Sequence, residues 1–413
     1  MQVFLVGGAV RDTLLGIKIK DRDWVVVGAT PKQMLDLGYQ QVGADFPVFL
    51  HPQSKEEYAL ARTERKTAGG YTGFECYAAP DVTLEDDLKR RDLTINAMAM
   101  DEHQHIIDPY HGQRDLAAKL LRHVSDAFIE DPLRVLRVAR FAARYHALGF
   151  SIATETLSLM QAICASGELA YLSAERVWQE TARSLMGANP EVYISVLREC
   201  NALPIWFAEL AVLWGIPNPV QWHPEVDTGI HTIMVLQQAA KLSDKLTVRF
   251  AALVHDVGKG LTPKDKWPSH PGHETSGLSA INALCDRLKA PNECRELALL
   301  VSEYHTHVHK AFELKPSTLL KVLNHCDVWR KPERFADLLL CCEADARGRT
   351  GFEERDYPQA AYFWQVYQTA LQVDVKAIVA SGLKGEAIRQ RLNELRTTAI
   401  RHFKQQALAA DKI

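Results

Sequence analysis

Two hydrophobic patterns follow one another along the chain. Short apolar runs of strand length lie near the N-terminus, at residues 3–6, after Asp23, and at residues 47–50 and 57–61. From residue 151 onward, apolar residues recur mainly at helical spacing and strand-forming runs are scarce. The pattern therefore predicts an α+β fold, in which a small mixed sheet with packed helices is followed by all-α segments.

A glycine pair and an aspartate pair frame the start of this sheet. The first apolar run ends in Gly7 and Gly8, a helical stretch follows, and Asp21 and Asp23 open the next run. Side chains two apart on a strand share one face, so both carboxylates are expected to point the same way. Because close carboxylates repel, the pair favours a cation, and oxygen ligands with open positions suit Mg²⁺ that carries a nucleoside triphosphate. The freed backbone N–H groups of the glycines could hold phosphates nearby.

In this order the residues resemble the nucleotidyltransferase signature of the polymerase-β superfamily. The form GGxVRDxLLG…DxD is that of class II CCA-adding enzymes and bacterial poly(A) polymerases, and the chain carries it as GGAVRDTLLG…DRD. The resemblance implies that Gly8 and Arg11 contact the nucleotide and that Asp21 and Asp23 are catalytic and hold Mg²⁺. Glu57 is a candidate third catalytic carboxylate, with a surface strand glutamate as the equally weighted alternative.

Two later blocks extend the resemblance. The glycine-rich stretch of residues 66–80 predicts a mobile loop, which in this family helps to shape the nucleotide pocket. Thr83 and Asp86 form a predicted capping box at the start of a helix. The sequence RRDLTINAM then resembles the second family motif, whose second arginine touches the incoming nucleotide. That role falls on Arg91, and Asp92 is expected to be structural or to face the ribose, although a charge cluster on a helix is usually a solvated face.

An arginine stripe marks the segment of residues 128–145. Arg134, Arg137, Arg140 and Arg144 fall within one third of the helix circumference, and without an interleaved acid they would repel each other unless they met phosphates. The block resembles the EDxLRxxR motif with which class II CCA-adding enzymes choose the base. On that likeness Asp131 and Arg134 read the base, while Arg137 and Arg140 hold the triphosphate. A carboxylate accepts from the exocyclic amine of cytosine or adenine, and a guanidinium donates to ring acceptors, so C and A match this pair.

A histidine-rich region occupies the second half of the chain. Nine of the sixteen histidines lie between residues 223 and 325. His255 and Asp256 are adjacent near a predicted helix end. Together with the neighbouring histidines they resemble the HD phosphohydrolase superfamily. The remaining metal ligands that the resemblance suggests are His231, His273, His305 and Asp345. Neutral imidazoles with a carboxylate bind first-row divalent metals. Each of these additional histidines could instead be a hydrogen-bonded surface or core residue.

Length and composition add boundaries to this division. The 413 residues suffice for two to four domains, predicted as a nucleotidyltransferase head (1–140), a helical neck (141–220), an HD domain (225–350) and a helical tail (351–413). Residues 216–225, with three prolines, are the expected linker. The basic amphipathic helix after residue 382 could face an RNA backbone, a membrane or a partner helix, or could simply pack.

The chemical character of the chain narrows its class. A net charge of −3 provides no global basic field, so RNA contacts must come from local patches. The eight cysteines show no CxxC spacing, which argues against a disulfide framework and a zinc finger. No targeting signal and no run of 18 apolar residues is evident, so we expect a cytoplasmic protein with no membrane partner.

Together the resemblances imply template-independent addition of C, C and A to the 3′ end of tRNA from CTP and ATP. Bacterial CCA-adding enzymes with an HD domain are known as a family for 2′,3′-cyclic phosphodiesterase, 2′-nucleotidase and phosphatase activities, with transition metals such as Ni²⁺. The expected partners are tRNA, CTP and ATP, and the expected state is a monomer or a weak homo-oligomer. The alternatives are a poly(A) polymerase, an HD hydrolase with an inactive RNA-binding head, and a (p)ppGpp synthetase/hydrolase.

Overall fold

The structure is a computed structural model that describes residues 1–43, 48–66 and 74–410. The chain divides into two compact units. The first unit comprises Met1–Ser184 and Val192–Trp206, and the second comprises Leu185–Glu191 and Phe207–Ile413.

The first unit contains the strands of the described chain and a series of mostly short helices. The strands are β1 (Gln2–Val6), β2 (Asp23–Val27), β3 (Gln40–Val42), β4 (Val48–Leu50), β5 (Glu57–Leu60), β6 (Thr63–Lys66), β7 (Phe74–Tyr77), β8 (Ala99–Met100), β9 (Ile106–Ile107), β10 (Leu120–Leu121) and β11 (Ser151–Ile152). The helices up to Trp206 are α1 (Gly8–Leu14), α2 (Pro31–Asp36), α3 (Leu84–Lys89), α4 (Gly112–Ala117), α5 (Leu133–Tyr145), α6 (Thr154–Ala165), α7 (Ala174–Leu185), α8 (Pro190–Glu199) and α9 (Leu203–Trp206).

The main sheet is small and mixed, as the hydrophobic pattern predicts. Its strand order is β3-β4-β5-β2-β1-β8-β9. The β2–β5 pair is parallel, and the other pairs in this sheet are antiparallel. Alternate residues of β1 enter different cores, since Phe4 and Val6 pack in the cluster of Leu88 whereas Leu5 packs with Val10 of α1. Both faces of β1 are therefore covered, and the strand lies at the centre of the unit.

Two helix starts follow the capping rules that their sequences suggest. At α2, Thr30 Oγ1 accepts from the Gln33 N–H at 3.2 Å, and the Thr30 N–H donates to the Gln33 side chain at 2.8 Å. At α3, Thr83 Oγ1 accepts from the Asp86 N–H at 3.1 Å, and Asp86 accepts from the Thr83 N–H at 3.2 Å. Each box satisfies two N–H groups that a helix start otherwise leaves without partners. The predicted helix start at Thr83 is confirmed.

The predicted loop of residues 66–80 is wrong in part. Phe74–Tyr77 forms β7, which pairs antiparallel with β6 in a separate two-stranded ribbon. Aromatic residues at both ends of β7 favour the extended backbone, and pairing with β6 satisfies its backbone groups. Residues 67–73 of the predicted loop lie outside the described residues, as does Pro47 of the predicted third strand.

The second unit is helical throughout its described residues. Its helices after α9 are α10 (Ala208–Ala211), α11 (Thr228–Leu242), α12 (Leu246–Val254), α13 (His273–Leu288), α14 (Asn292–His309), α15 (Pro316–His325), α16 (Pro332–Arg347), α17 (Pro358–Leu371), α18 (Val375–Ala380) and α19 (Glu386–Ala410). Val235, Ala239, Ala252 and Ala344 form one core cluster between α11, α12 and α16. Small residues at these positions let the three helices approach closely. The predicted α+β head followed by helical segments is confirmed.

The C-terminal helix α19 packs on the rest of its unit. Lys404 Nζ donates to the carbonyls of Phe312 at 2.7 Å and Leu314 at 2.6 Å, and the Arg396 guanidinium lies 3.3 Å from the centroid of the Trp329 ring. Lys404 and Arg396 of the basic helix therefore contact its own unit, in agreement with simple packing, one of the roles expected for this helix. Within the described residues, no helix has both the length and the hydrophobicity needed to cross a membrane. Among the side chains that the structure describes, seven cysteines are buried free thiols.

Candidate functional sites

The first site is a cavity of about 430 Å³ in the first unit. Most of its lining side chains are charged, with eight arginines against three aspartates. The lining residues are Gly7, Gly8, Arg11, Asp23, Arg90, Arg91, Asp92, Asn96, Asp131, Leu133, Arg134, Arg137, Arg140, Phe141, Arg144 and Arg176. The excess of guanidinium groups makes this a cavity for an anion.

The register of the central strands brings Gly7 and Asp23 to one end of the sheet. Val6, the last residue of β1, pairs with Asp23, the first residue of β2. Gly7 follows with a φ of 65°, and a Cβ on it would lie 2.9 Å from Arg91 Nη1. Glycine is required here both by its backbone conformation and by the arginine packed against it. The turn thus places backbone directly beside Arg91.

The three predicted catalytic carboxylates take different positions. Asp23 lines the cavity, and Glu57 is its register partner on β5, so both side chains leave the same face of the parallel pair. Asp21 does not line the cavity and lies before β2 begins. The expectation that Asp21 and Asp23 are two residues of one strand is therefore wrong, because ladder pairing starts only at Asp23.

Asp21 is nevertheless close enough to act on Asp23. Burial raises the pKa of Asp23, the Arg91 guanidinium opposes this, and the Asp21 carboxylate raises the pKa further. An approaching cation would relieve both unfavourable contributions, which is the behaviour expected of paired metal ligands. Asp21, Asp23 and Glu57 therefore fit a hard divalent cation by their chemistry.

The arginine stripe of α5 meets carboxylates from other elements. Arg137 pairs with Asp92 at 2.7 Å, Arg140 with Glu180, and Arg144 with Asp12 at 3.1 Å. The expectation that the stripe has only phosphates to neutralise it is wrong, because these acids are distant in sequence. Burial raises the pKa of Asp92, but the Arg137 guanidinium, a hydrogen bond from Asn96 and the charge of Arg134 together outweigh burial and hold the pKa below its usual range.

The predicted base-reading pair is held by partners that the sequence did not reveal. Asp131 accepts from Arg176 Nη2 at 2.7 Å and from the Leu133 N–H at 3.1 Å. Arg134 donates to two backbone carbonyls, those of Ala127 at 2.7 Å and Arg90 at 2.6 Å. Both side chains line the cavity but are anchored separately. Arg176 lies on α7, 45 residues from Asp131 in the sequence.

Arg91 is positioned by a buried acid that also escaped prediction. Its Nη2 donates to Asp87 at 3.1 Å, and the Asp87 side chain is fully buried. The Nε of Arg91 is buried and has no hydrogen-bond partner. Arg11 is similarly fixed, since it donates to Asp12 at 2.9 Å and also to Asn96. Both guanidinium groups therefore reach the cavity from fixed positions.

The second site is a buried cluster in the second unit that contains all six predicted HD residues. They form two groups of three, and within each group the ligand atoms lie within 4.8 Å of one another. The groups are His231, His255 and Asp345, and Asp256, His273 and His305. The nitrogens that face the carboxylates are the Nε2 atoms. Their shortest contacts are 3.0 Å for His231 to Asp345, and 3.2, 3.4 and 3.6 Å for His255, His273 and His305 to Asp256.

Backbone carbonyls fix the orientation of these four imidazoles. Each ring has its Nδ1 within hydrogen-bond distance of a carbonyl, which can only accept, so Nδ1 carries the proton. The acceptors are Gly348 for His231 (2.9 Å), Ala252 for His255 (2.8 Å), His270 for His273 (2.8 Å), and Val301 and Ser302 for His305 (3.0 Å each). In the neutral rings the Nε2 lone pairs therefore point at carboxylate oxygens and at each other.

Such a cluster requires a cation. The Nε2 of His255 and the Oδ1 of Asp256 are buried without hydrogen-bond partners. Burial disfavours a charged His255 imidazole, but the carboxylates of Asp256 and Asp345 outweigh burial and raise its pKa to about 9. His305 behaves oppositely, since burial lowers its pKa to about 3. The donor set of imidazole nitrogens and carboxylates fits a divalent transition metal.

Further residues support the cluster from outside it. The predicted linker of residues 216–225 is not a free connection, because His223 and Glu225 on it contact His231. Glu225 Oε1 lies 2.9 Å from His223 Nδ1 and 3.1 Å from His231 Nδ1. Burial raises the pKa of Glu225, but hydrogen bonds from the two imidazoles outweigh it and lower the pKa. His223, Glu225 and His231 also satisfy the geometric criterion for a metal group, yet His231 Nδ1 already faces the Gly348 carbonyl.

His309 is a further histidine that contacts the cluster. It follows His305 by one helical turn on α14, a spacing that places both on one face. Its Nε2 lies 2.7 Å from Asp345 Oδ2, and its Nδ1 lies 2.8 Å from the Tyr357 hydroxyl. His309 therefore anchors one oxygen of a predicted metal ligand.

The chain is similar in sequence to known proteins over nearly its whole length. The multifunctional CCA protein of Pseudoalteromonas atlantica is 66% identical over 400 residues, which cover 97% of this chain and 99% of that protein. The chain belongs to the multifunctional CCA protein family. It is a CCA-adding nucleotidyltransferase with an HD domain, and this family membership sets aside the poly(A) polymerase and (p)ppGpp synthetase alternatives.

Domain-family matches follow the same division. Residues 3–122 match the family described as "Poly A polymerase head domain", residues 149–213 match "Probable RNA and SrmB- binding site of polymerase A", and residues 228–337 match "HD domain". In this chain the head-domain match contains Asp23 and Arg91, and the HD-domain match contains His231, His255 and His305. Asp345 lies just beyond the HD match.

Solved structures share the fold at low sequence identity. A Thermotoga maritima CCA-adding enzyme complexed with tRNACCA is 20% identical, with a TM-score of 0.65 over 99% of this chain and 91% of that chain. A CCA-adding enzyme solved in complex with CTP is 19% identical, with a TM-score of 0.62 over 100% of this chain and 92% of that chain. The multifunctional CCA protein family thus shares its fold with proteins whose sequences have diverged widely.

Proposed function

We propose that this chain adds C, C and A in turn to the 3′ end of tRNA, without a template strand, from CTP and ATP. The observation that carries the proposal is the single cavity that brings together Asp23, Arg91 and Asp131. A catalytic carboxylate, a nucleotide-contacting arginine and a base-reading carboxylate are thereby within reach of one nucleotide. The relatives' complexes with tRNACCA and CTP support the choice of substrates.

In the proposed reaction the carboxylates and arginines divide the work. Asp21 and Asp23, with Glu57 beside them, would hold Mg²⁺, which supplies charge neutralisation at the triphosphate and activates the tRNA 3′-hydroxyl. The guanidinium groups of Arg137 and Arg140 already donate to carboxylates in this geometry, so a triphosphate would compete for the same donors. Catalysis then rests mainly on positioning and charge stabilisation.

Base choice is proposed to rest on Asp131 and Arg134. The Asp131 carboxylate has acceptor capacity beyond its bonds to Arg176 and Leu133, and can accept from an exocyclic amine. Asp131→Ala should admit UTP or GTP relative to CTP, since each lost bidentate contact is worth roughly 1–3 kcal/mol of discrimination. Steady-state kinetics with each nucleotide measure this ratio. Unchanged discrimination in the variant would count against the assignment.

One assay separates this function from its nearest alternative. The protein is incubated with tRNA that lacks its 3′ terminus and with labelled CTP and ATP, and the added end is sequenced. Addition that stops after CCA supports the proposal, whereas a run of A residues indicates a poly(A) polymerase. Absence of any addition, with RNA binding intact, would indicate an inactive head.

For the HD domain we propose metal-dependent phosphoester hydrolysis, as a 2′,3′-cyclic phosphodiesterase, 2′-nucleotidase and phosphatase. The supporting observation is the convergence of four imidazole Nε2 atoms on Asp256 and Asp345. Nitrogen-rich sites prefer the later first-row metals, which supports Ni²⁺. When bound, such an ion polarises phosphate and lowers the pKa of water. The protein groups hold the ligands in register through their Nδ1 hydrogen bonds.

Single substitutions in the cluster test the hydrolase proposal. His255→Ala and Asp256→Ala should abolish phosphatase and phosphodiesterase activity while CCA addition continues, because the first site lies in the other unit. Hydrolysis that survives both changes would rule out this site.

Two further expectations stay predictions. They are the domain boundaries, at 1–140, 141–220, 225–350 and 351–413, and the oligomeric state, a monomer or weak homo-oligomer.

A further inference from the structure

Arg349 stands at the edge of the histidine cluster with donors that have no strong partner. It follows Asp345 by four residues just after α16, and its Nη2 lies 3.7 Å from Asp345 Oδ1, which is beyond hydrogen-bond distance. Its Nε is buried without a hydrogen-bond partner. The side chain is 18% exposed. A guanidinium is thus held beside a predicted metal ligand without being committed to it.

Two other cations near the cluster have close partners. Lys259 Nζ lies 2.7 Å from Asp256 and donates to Asn218 Oδ1 at 3.0 Å. Arg347 pairs with Glu343 at 2.8 Å and donates from Nε to the Arg355 carbonyl at 3.1 Å. Arg349 differs from both, since its Nε has no hydrogen-bond partner and its Nη2 lies 3.7 Å from Asp345.

The backbone beside Arg349 is tightly fixed. A Cβ on Gly348 would lie 2.6 Å from Val235 Cγ2 on α11, and the Gly348 carbonyl faces His231 Nδ1 at 2.9 Å. The position of Arg349 is therefore set by the same contacts that orient a metal-ligating ring. Such a group requires little reorganisation to meet a ligand.

We propose that Arg349 binds the phosphoryl group of the substrate hydrolysed at the HD site. The inference rests on the proposed hydrolase function. A metal ion on Asp345 would neutralise the carboxylate and weaken its attraction for Arg349, so the guanidinium would be available to phosphate oxygens. Its planar donor pair matches two oxygens of one phosphate, a contact that an ammonium cannot reproduce.

The test compares Arg349→Ala, Arg349→Gln and Arg349→Lys with wild type. Arg347→Gln is the matched control from the same helix end, because Arg347 pairs with Glu343 and the Arg355 carbonyl and not with a residue of the cluster. Calorimetric titration gives the Kd of inorganic phosphate for the Ni²⁺-loaded full chain, and the Kd of Ni²⁺ for the metal-free chain. Kinetics on a 2′,3′-cyclic nucleotide add KM and kcat.

We expect Arg349→Ala and Arg349→Gln to weaken phosphate binding by about tenfold or more, the scale of a lost bidentate charge-assisted contact. Arg349→Lys should fall between these and wild type. The Kd of Ni²⁺ should stay equal or become tighter, because a cation near a ligand carboxylate is removed. Unchanged phosphate binding overturns the inference. So does a loss of Ni²⁺ affinity that matches the loss of phosphate affinity, since that result assigns Arg349 a structural role. If wild type hydrolyses no phosphoester, the proposed function fails, while the phosphate Kd values still decide the role of Arg349.

Discussion

Replacing Arg176 with methionine removes the ion pair that holds Asp131, and the contact itself indicates the size of the effect. Arg176 Nη2 lies 2.7 Å from Asp131 Oδ2, and the two side chains are 22% and 21% exposed. Hydrogen bonds to charged groups contribute about 1.5–3 kcal/mol when shielded, and exposed ion pairs about 0.2–1 kcal/mol. This half-buried pair lies between those limits, at about 1–2 kcal/mol.

The loss should appear in the choice of base. In Arg176→Met the Asp131 carboxylate keeps its bond from the Leu133 N–H, but one oxygen is free to turn away from the cavity. We expect kcat/KM for CTP addition to fall about 5- to 30-fold, the equivalent of 1–2 kcal/mol. Discrimination against UTP should fall with it, because a misplaced carboxylate no longer selects for an exocyclic amine.

A double-mutant cycle with Asp131→Asn isolates the pair. Kinetics of single CMP addition to tRNA are measured for wild type, both single variants and the double variant. The coupling energy should be about 1–2 kcal/mol, and Arg183→Met, an exposed change on the same helix, should leave CTP addition unchanged. Coupling below about 0.5 kcal/mol, the range in which independent sites add, would refute the claim that Arg176 positions Asp131.

Three further predictions address stability. Asp92→Asn weakens the pair with Arg137, so the variant should melt several degrees below wild type at pH 7. Because the pKa of Asp92 is lowered in the folded protein, its carboxylate stabilises the fold above the unfolded pKa of about 3.9, and this stabilisation is lost as the pH falls further. Calorimetry should therefore show the difference in melting temperature closing below about pH 4. Gly7→Ala should lower nucleotide affinity and destabilise the fold by more than about 1–2 kcal/mol, because Gly7 has φ 65° and ψ −125° and a Cβ on it would lie 2.9 Å from Arg91 Nη1. Gly16→Ala, at φ 66° with open space around it, should cost less in urea unfolding. Ni²⁺ at 100 times its Kd should stabilise the second unit by about 2.7 kcal/mol over the metal-free chain in thermal scans, and His255→Ala should lose this gain; equal melting with and without the metal would contradict the site.

The features that sequence predicts well depend on residues close together in the chain. The capping box at Thr83 joins residues three apart, and it forms as predicted. The fold class is equally accessible, because strand-length runs near the N-terminus and helical spacing after them reflect burial directly.

The charge partners within each site could not be predicted in this way. Arg144 pairs with Asp12, which lies 132 residues earlier, and Arg176 pairs with Asp131, 45 residues away. Only the folded sheet and helices bring such residues together, so periodicity on α5 shows an arginine stripe but not its acids. The same limit hid Glu225, because three neighbouring prolines indicate a connection while tertiary contacts with His231 bury its carboxylate.

The two sites are unbalanced in opposite senses, and this imbalance identifies the charge of each ligand. The cavity in the first unit has eight arginines against three aspartates among its lining residues, and their partial pairing leaves guanidinium donors for a nucleotide triphosphate. The cluster in the second unit instead turns four Nε2 atoms toward two buried carboxylates, which favours a cation. Arg349 lies at the edge of this cluster. A metal ion would neutralise the carboxylates of the cluster, and the donors of Arg349 would then be available to an anion. A phosphate ester carries the matching negative charge.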